Sequence, residues 1–440
     1  MLLHPKKLLY NVLRKFGKIP VKYRNITKKK IIECKNAGGN MRKSKLVTGI
    51  LIGVLAGATI LASGCKGGKN GSSETSSEPG VINLNPTTSE GGNTNPDPSV
   101  ANATVTFPED DNELPEGLKE EDCYRSELTN LWTDKAIQNQ RPCAIMVDNE
   151  ITALDHYGLN QADIVYEMMN STANGRVTRL MAIVKDWQHL DQFGSIRSTR
   201  PTNVILAGEY NAILVHDGGP FYINEYIAKP YCNHLSGGFA RFSNGKAMEF
   251  TEYVTSDTYN NPTTGRSYDG LISRIEAAGF SKDYNSYYQG VHFTFNDETT
   301  GLNDHGGDAD AKDIYLPHPH NHSELHYNEE TREYEYREYN MDHIDPLDGN
   351  KVMSFDNVIL QQTGYMIYDP NGYMIYDVVN ESTGYYITKG KCINIKWSKA
   401  SETALTKYFD VETGTELKLN TGKTYISLIP NDVWDDVVFE

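Results

Sequence analysis

The sequence predicts an α+β protein: a layered mixed sheet with helices in an N-terminal domain, then a smaller β-rich C-terminal domain. Three observations carry that expectation. Between Arg141 and Pro220, apolar runs end repeatedly on a charged residue or a glycine: Asp148, Glu167, Arg197 with Arg200, His216 with Asp217. Strand-like runs in this region outnumber helical ones, with no regular βαβ alternation. After residue 330 the segments are again strand-like, opening with alternation over Arg332–Tyr339. Strand ends that converge on polar residues outline a cleft.

Composition bounds the chain before its elements do. At 440 residues it is long enough for two or three domains, and at 38% apolar residues part of it stays outside any core. Charge is segregated. Fourteen Lys and Arg and a single acid, Glu33, precede Cys65; from Cys65 onward 28 basic residues face 57 acidic ones, a net of −29. So acidic a body excludes nucleic acid as a partner, and it disfavours an anionic membrane face. An anion in a locally basic pocket stays open.

In chain order, Met41-Arg42-Lys43-Ser44-Lys45 and the apolar run after it form a secretory signal over residues 41–64, closed by Gly64-Cys65. The ending Leu-Ala-Ser-Gly-Cys resembles a bacterial lipoprotein signal, which makes Cys65 the expected site of lipidation. Ala37-Gly38-Gly39-Asn40 can encode a ribosome-binding site just ahead of Met41. Residues 1–40 are therefore expected to lie upstream of the true start. Residues 65–122 are rich in Gly, Ser, Thr, Asn, Pro and acids, the composition of a disordered tether.

The N-terminal domain is expected over residues 123–300. Cys143–Asp148, Asp163–Glu167, Val177–Val184 and Ala212–His216 read as strands bounded by turn residues. Pro201–Tyr210 reads as a helix, capped by Ser198 or Thr199, with proline in its first turn. Ser267–Ala278 is a second helix stopped by Gly279, and Val291–Phe295 a further strand. Residues 301–330 read as a polar, His-containing loop. The C-terminal domain, 331–440, holds strands at Val358–Gln361, Tyr385–Thr388, Cys392–Trp397 and Thr424–Ile429. The hexapeptide GYMIYD occurs twice, at Gly364–Asp369 and Gly372–Asp377, and Pro370-Asn371 between the copies predicts a hairpin. The expected role of the repeat is a duplicated edge extension.

These residues resemble the YerB-like family of bacterial lipoproteins. The resemblance is carried by RPCAIMVDN, GLNQADIVYE, RVTRLMAIV, GSIRSTRP and NAILVHDGGP, and later by NVILQQ, TGYYITKGKCINIKW and LNTGKTYISLIP. It covers about residues 140–436. It implies a two-domain protein, an α+β layered domain and a β-rich one, anchored at the outer face of the cytoplasmic membrane, and it brings no established activity.

Candidate chemistry centres on Arg197, Ser198, Arg200, His216 and Asp217. Two guanidinium forks at a helix N-terminus, beside the Gly218-Gly219 turn, make an anion site for a cell-wall component or an envelope partner protein. The competing reading pairs Arg179, Arg197 and Arg200 internally with Asp148, Asp163 and Glu167. The alternative function is a cell-wall hydrolase using Asp148 and Glu167 as paired carboxylates. Serine hydrolysis lacks a nucleophile-elbow spacing around Ser195 or Ser198. His318, His320, His322 and His326, with Glu324 and His305, are the one metal-like cluster; prolines break it and it has no HExxH, so no metal or other cofactor is expected. Cys143 and Cys392 fall in predicted strands, where buried thiols rather than a disulfide are expected.

Overall fold

A computed structural model of the chain describes residues 113–440, apart from 298, 300, 301 and 303–308. The leader, Cys65 and most of the expected tether lie outside the described residues. The alternating apolar segments become strands: β1 (Cys143–Asp148), β2 (Ile164–Met169), β3 (Thr178–Val184), then helix α1 (Pro201–Glu209), β4 (Ile213–His216) and β5 (Asn233–Ser236). Helix α2 (Leu271–Ala277) starts four residues later than expected, because Ser267–Tyr268 pairs with Tyr259–Asn260 as a short ribbon.

The segment expected as a polar loop carries three strands, β6 (Ala309–Asp310), β7 (Asp313–Tyr315) and β8 (Glu324–Asn328). Its apolar residues are sparse but well placed: Ile314 and Leu325 are fully buried. Next come β9 (Glu333–Glu338), β10 (Met341–Asp342), β11 (Ser354–Phe355) and β12 (Asn357–Thr363). The hairpin β13 (Tyr365–Ile367) and β14 (Met374–Tyr376) follows, as the repeat predicted. The last strands are β15 (Glu381–Thr388), β16 (Lys391–Ser398), β17 (Lys407–Asp410), β18 (Thr424–Pro430) and β19 (Val438–Phe439).

Eleven of these strands form one sheet, in the order β6-β16-β15-β12-β18-β2-β3-β1-β4-β5, with β17 also on β16. Strand β18, from the end of the chain, lies parallel to both β12 and β2, with Thr424 opposite Ile164 and Leu428 opposite Met168. The expected boundary between residues 300 and 331 therefore does not divide the sheet; its two halves share a continuous ladder. A strand with parallel neighbours on both sides is covered on both faces, which is why Thr424–Pro430 is buried throughout.

Period-two alternation sorts the side chains onto two faces. Cys143, Ile145 and Val147 of β1 join Val165, Leu180 and Ala182 on one face, under the six-stranded sheet of β7–β11 and β19 and under α2. Ala144, Met146, Ile164, Tyr166 and Met181 face the other way, against Val204, Leu206 and Ala207 of α1 and against Met374 and Tyr376 of the hairpin.

Candidate anion site

The loop Ser195–Arg200 runs beside the end of β1. Asp148 N–H donates to Ser195 O at 3.0 Å, and Arg197 N–H to Met146 O at 3.0 Å. The same loop is tied to the glycine turn after β4, where Thr199 N–H donates to Gly218 O at 3.1 Å. Gly218 has φ +79°, and a Cβ there would sit 3.3 Å from Ser198 Oγ, so the turn suits glycine. The expected cap is corrected: Arg200 is the N-cap of α1, and its N–H donates to Asn203 Oδ1 at 3.0 Å. Ser198 Oγ donates instead to Asp217 O, at 2.8 Å.

Three arginines gather here with different surroundings. Arg197 donates from Nε to Asp148 Oδ2 at 2.6 Å and from Nη2 to Glu249 Oε2 at 2.9 Å. Two carboxylates already pair with it, so the fork expected for a ligand is engaged internally. Arg179, on β3 opposite Asp148, donates to Ser198 O at 2.9 Å. Arg200 donates to Thr199 O at 2.8 Å and lies 3.9 Å above the ring of Tyr373. Among the described residues, neither Arg179 nor Arg200 has a carboxylate oxygen within 4 Å. The Nε atoms of both are shielded from solvent without a hydrogen bond. Burial, and after it the charge of Arg200, pushes the Arg179 guanidinium down to about 9. Burial likewise lowers Arg200.

His216 and Asp217 serve other groups. His216 is buried; its ring contacts Gly218 O at 2.8 Å through Nδ1 and His234 Nδ1 at 3.1 Å through Nε2. Burial pushes it down to about 4, so it is neutral at physiological pH. Asp217 is half-exposed and lies 3.9 Å from Arg241. Arg241 also pairs with Glu252, whose carboxyl is raised to about 7 by burial and then by Asp217. The structure thus brings Arg179, Ser198, Arg200 and Tyr373 together and sends Arg197, His216 and Asp217 to internal partners.

Asp148 and Glu167 do not form a catalytic pair. Asp148 points with Met146 toward the α1 face, and Glu167 with Val165 toward the opposite one, as alternation requires. Glu167 is fully buried. It accepts from Thr178 Oγ1 at 2.6 Å, Ser323 Oγ at 2.7 Å, Tyr336 OH at 3.0 Å and Tyr425 OH. Burial alone would raise its carboxyl; His318, 3.4 Å away, and the donors outweigh it and hold the group at about 2. His318 also meets Ser427 Oγ at 3.4 Å, the residue order of a hydrolytic triad, but Ser427, His318 and Glu167 are at most 1% exposed. No substrate reaches them. They are a polar core.

The histidines do not converge on a metal either. His318 belongs to Glu167, whereas His326 contacts Asp313 and Glu324; His305 lies outside the described residues. The buried trio His156, Glu338 and His343 comes within metal-ligand range, but hydrogen bonds at 3.2 and 2.8 Å already join its ring nitrogens and carboxylate into a chain. Cys123, Cys143, Cys232 and Cys392 are free thiols. A separate cavity of about 530 Å³ lies among Thr383, Lys396, Trp397, Phe409 and Asp410, toward the opposite edge of the sheet; none of the candidate site residues named from the sequence lines it.

With this geometry in place, two family profiles match the chain. The N-terminal domain of a protein family of unknown function, DUF3048, matches residues 128–269, and the C-terminal domain of the same family matches 314–426. The chain belongs to that family. Among its relatives, the putative lipoprotein YerB of Bacillus subtilis is 24% identical over 316 residues, 70% of this chain and 86% of YerB. The crystal structure of the B. subtilis YerB protein superposes with a TM-score of 0.56 at 20% identity, covering 72% of this chain and 99% of the other. That likeness shows a shared fold. The YerB-like resemblance read from the sequence therefore stands, and the family carries no assigned activity.

Arg179 was legible in RVTRLMAIV as a charge inside an apolar strand, but only as an internal partner. Tyr373 was missed because the repeat reads as an edge extension.

Proposed function

We propose that the protein is a lipid-anchored binding protein at the outer face of the cytoplasmic membrane, holding an anionic cell-envelope component at Arg179 and Arg200. The leader ending at Cys65 and the likeness to a putative lipoprotein support the anchoring. One observation carries the binding. Two neighbouring guanidiniums, Arg200 buried and Arg179 half-buried, lack a carboxylate partner, and their Nε donors are shielded from water and unused. An uncompensated buried charge is costly, and an anion accepting from both forks removes that cost. The alternative, a wall hydrolase, loses its support because its two carboxylates face opposite sides of the sheet.

Calorimetric titration of the full chain, with Cys65→Ser to keep it free of lipid, tests this with inorganic phosphate as probe. Arg200→Lys keeps the charge but loses the planar fork, so affinity should drop about tenfold while the melting temperature stays near wild type. Unchanged affinity in that variant would remove the reading.

A further inference from the structure

We infer that the ligand is a phosphomonoester carried on an apolar or ring-bearing body; the inference rests on the anion reading above. Charge selects the headgroup. Arg179 and Arg200 present two positive charges without an ion-pair partner of their own, and the nearest acids are bonded to other donors. Asp148 is taken by Arg197, and Asp369 accepts from Tyr222 OH at 2.9 Å and from Asn371 N–H at 2.7 Å. A carboxylate brings one charge and two oxygens to two guanidinium forks, whereas a phosphomonoester carries a charge of roughly −1.5 to −2 at pH 7 and three acceptor oxygens.

The surface beside the arginines selects the body. Tyr373 lies under the Arg200 guanidinium, and Tyr222 and Asp369 are close enough to act on it electrostatically. The ring of Tyr222 packs 4.7 Å from that of Tyr368, and Phe221 lies 6.3 Å from the same ring. Phe221 is 77% exposed and Tyr368 60% exposed, with Met366 and Ile367 exposed alongside. Large apolar side chains grouped in the open mark a contact surface, and aromatic rings accept either an acyl chain or a flat ring. A cationic pair bordered by such a patch matches an amphiphilic dianion. Lipid phosphates and aryl phosphates share that chemistry.

The test uses the full chain with Cys65→Ser, hexanoate as a carboxylate control, and four phosphate probes: inorganic phosphate, glycerol 1-phosphate, hexyl phosphate and phenyl phosphate. At least one of the last two should bind about tenfold more tightly than inorganic phosphate. The tighter of the two identifies a chain-bearing or a ring-bearing source. The double variant Phe221→Ser/Tyr368→Ser should erase that gain and leave inorganic phosphate binding within about twofold of wild type; Arg200→Lys should weaken all four. If glycerol 1-phosphate matches hexyl and phenyl phosphate, the apolar body is refuted and the anion site stands. If hexanoate binds as tightly as hexyl phosphate, the phosphomonoester is refuted. If no anion binds, both readings fall.

Discussion

In the first copy of GYMIYD, Met366 is 56% and Tyr368 60% exposed; in the second, Met374 is 1% and Tyr376 3% exposed. The acids invert the pattern, since Asp369 is buried and Asp377 exposed. The two copies pair antiparallel, Tyr365 opposite Tyr376 and Ile367 opposite Met374, so each has the same strand neighbour. What differs is the third partner. Met374 N–H donates to Asn170 O, and Tyr376 N–H to Thr202 Oγ1, which clamps the second copy between the sheet and α1. The first copy meets Tyr222 and Phe221 at Tyr368 instead, and Met366, Ile367 and Tyr368 stay exposed. Identical residues acquire opposite roles from what lies next to them: Met374 and Tyr376 are core, while Met366 and Tyr368 form an exposed face.

The largest effect should come from truncating equivalent tyrosines. Tyr376→Ala removes a buried ring and should cost about 3–5 kcal/mol in chemical denaturation, whereas Tyr368→Ala should stay within about 0.5 kcal/mol of wild type. Equal losses would break the comparison. Charged groups extend it. Arg197→Ala strands the buried Asp148 and should cost about 3 kcal/mol, while Arg200→Ala removes no carboxylate pair and should cost about 1 kcal/mol.

Carboxylates carry the contrast into pH. Glu167 has a folded value of about 2, below its ordinary one, so its stabilisation is fully present above pH ~4.5. That stabilisation drains away as pH falls toward 2, and the loss should be roughly 2–3 kcal/mol. Denaturant midpoints across that window should show the slope in wild type and flatten in Glu167→Gln. The smallest effect compares the repeat's own acids. Asp369→Asn should cost about 1 kcal/mol, and Asp377→Asn nothing measurable.

Much of the sheet was legible because its strands are short apolar runs with period two, and β1, α1, β16 and the hairpin fall close to their expected places. The partners of β18 were not. Parallel pairing of residues 424–428 with 164–168 joins segments far apart in the chain, and no local pattern encodes it. The same limit hid the site. Arg197 and Arg200 look alike in GSIRSTRP, and only the register of β1 against the loop gives Arg197 its aspartate and leaves Arg200 without one. Alternation could have separated Asp148 from Glu167: each ends an apolar run, but their strands run antiparallel to β3 from opposite starting faces.

If Arg179 and Arg200 together hold an anion, their Nε–H groups report on it directly. Nitrogen-15 NMR of the arginine side chains, with the two resonances assigned by Arg179→Lys and Arg200→Lys, should be recorded while phenyl phosphate is titrated into the full Cys65→Ser chain. Both Nε–H signals should move together and saturate at one concentration, while that of Arg197, already bonded to Asp148, stays in place. Binding detected by calorimetry with the Arg179 and Arg200 signals unmoved would contradict the account.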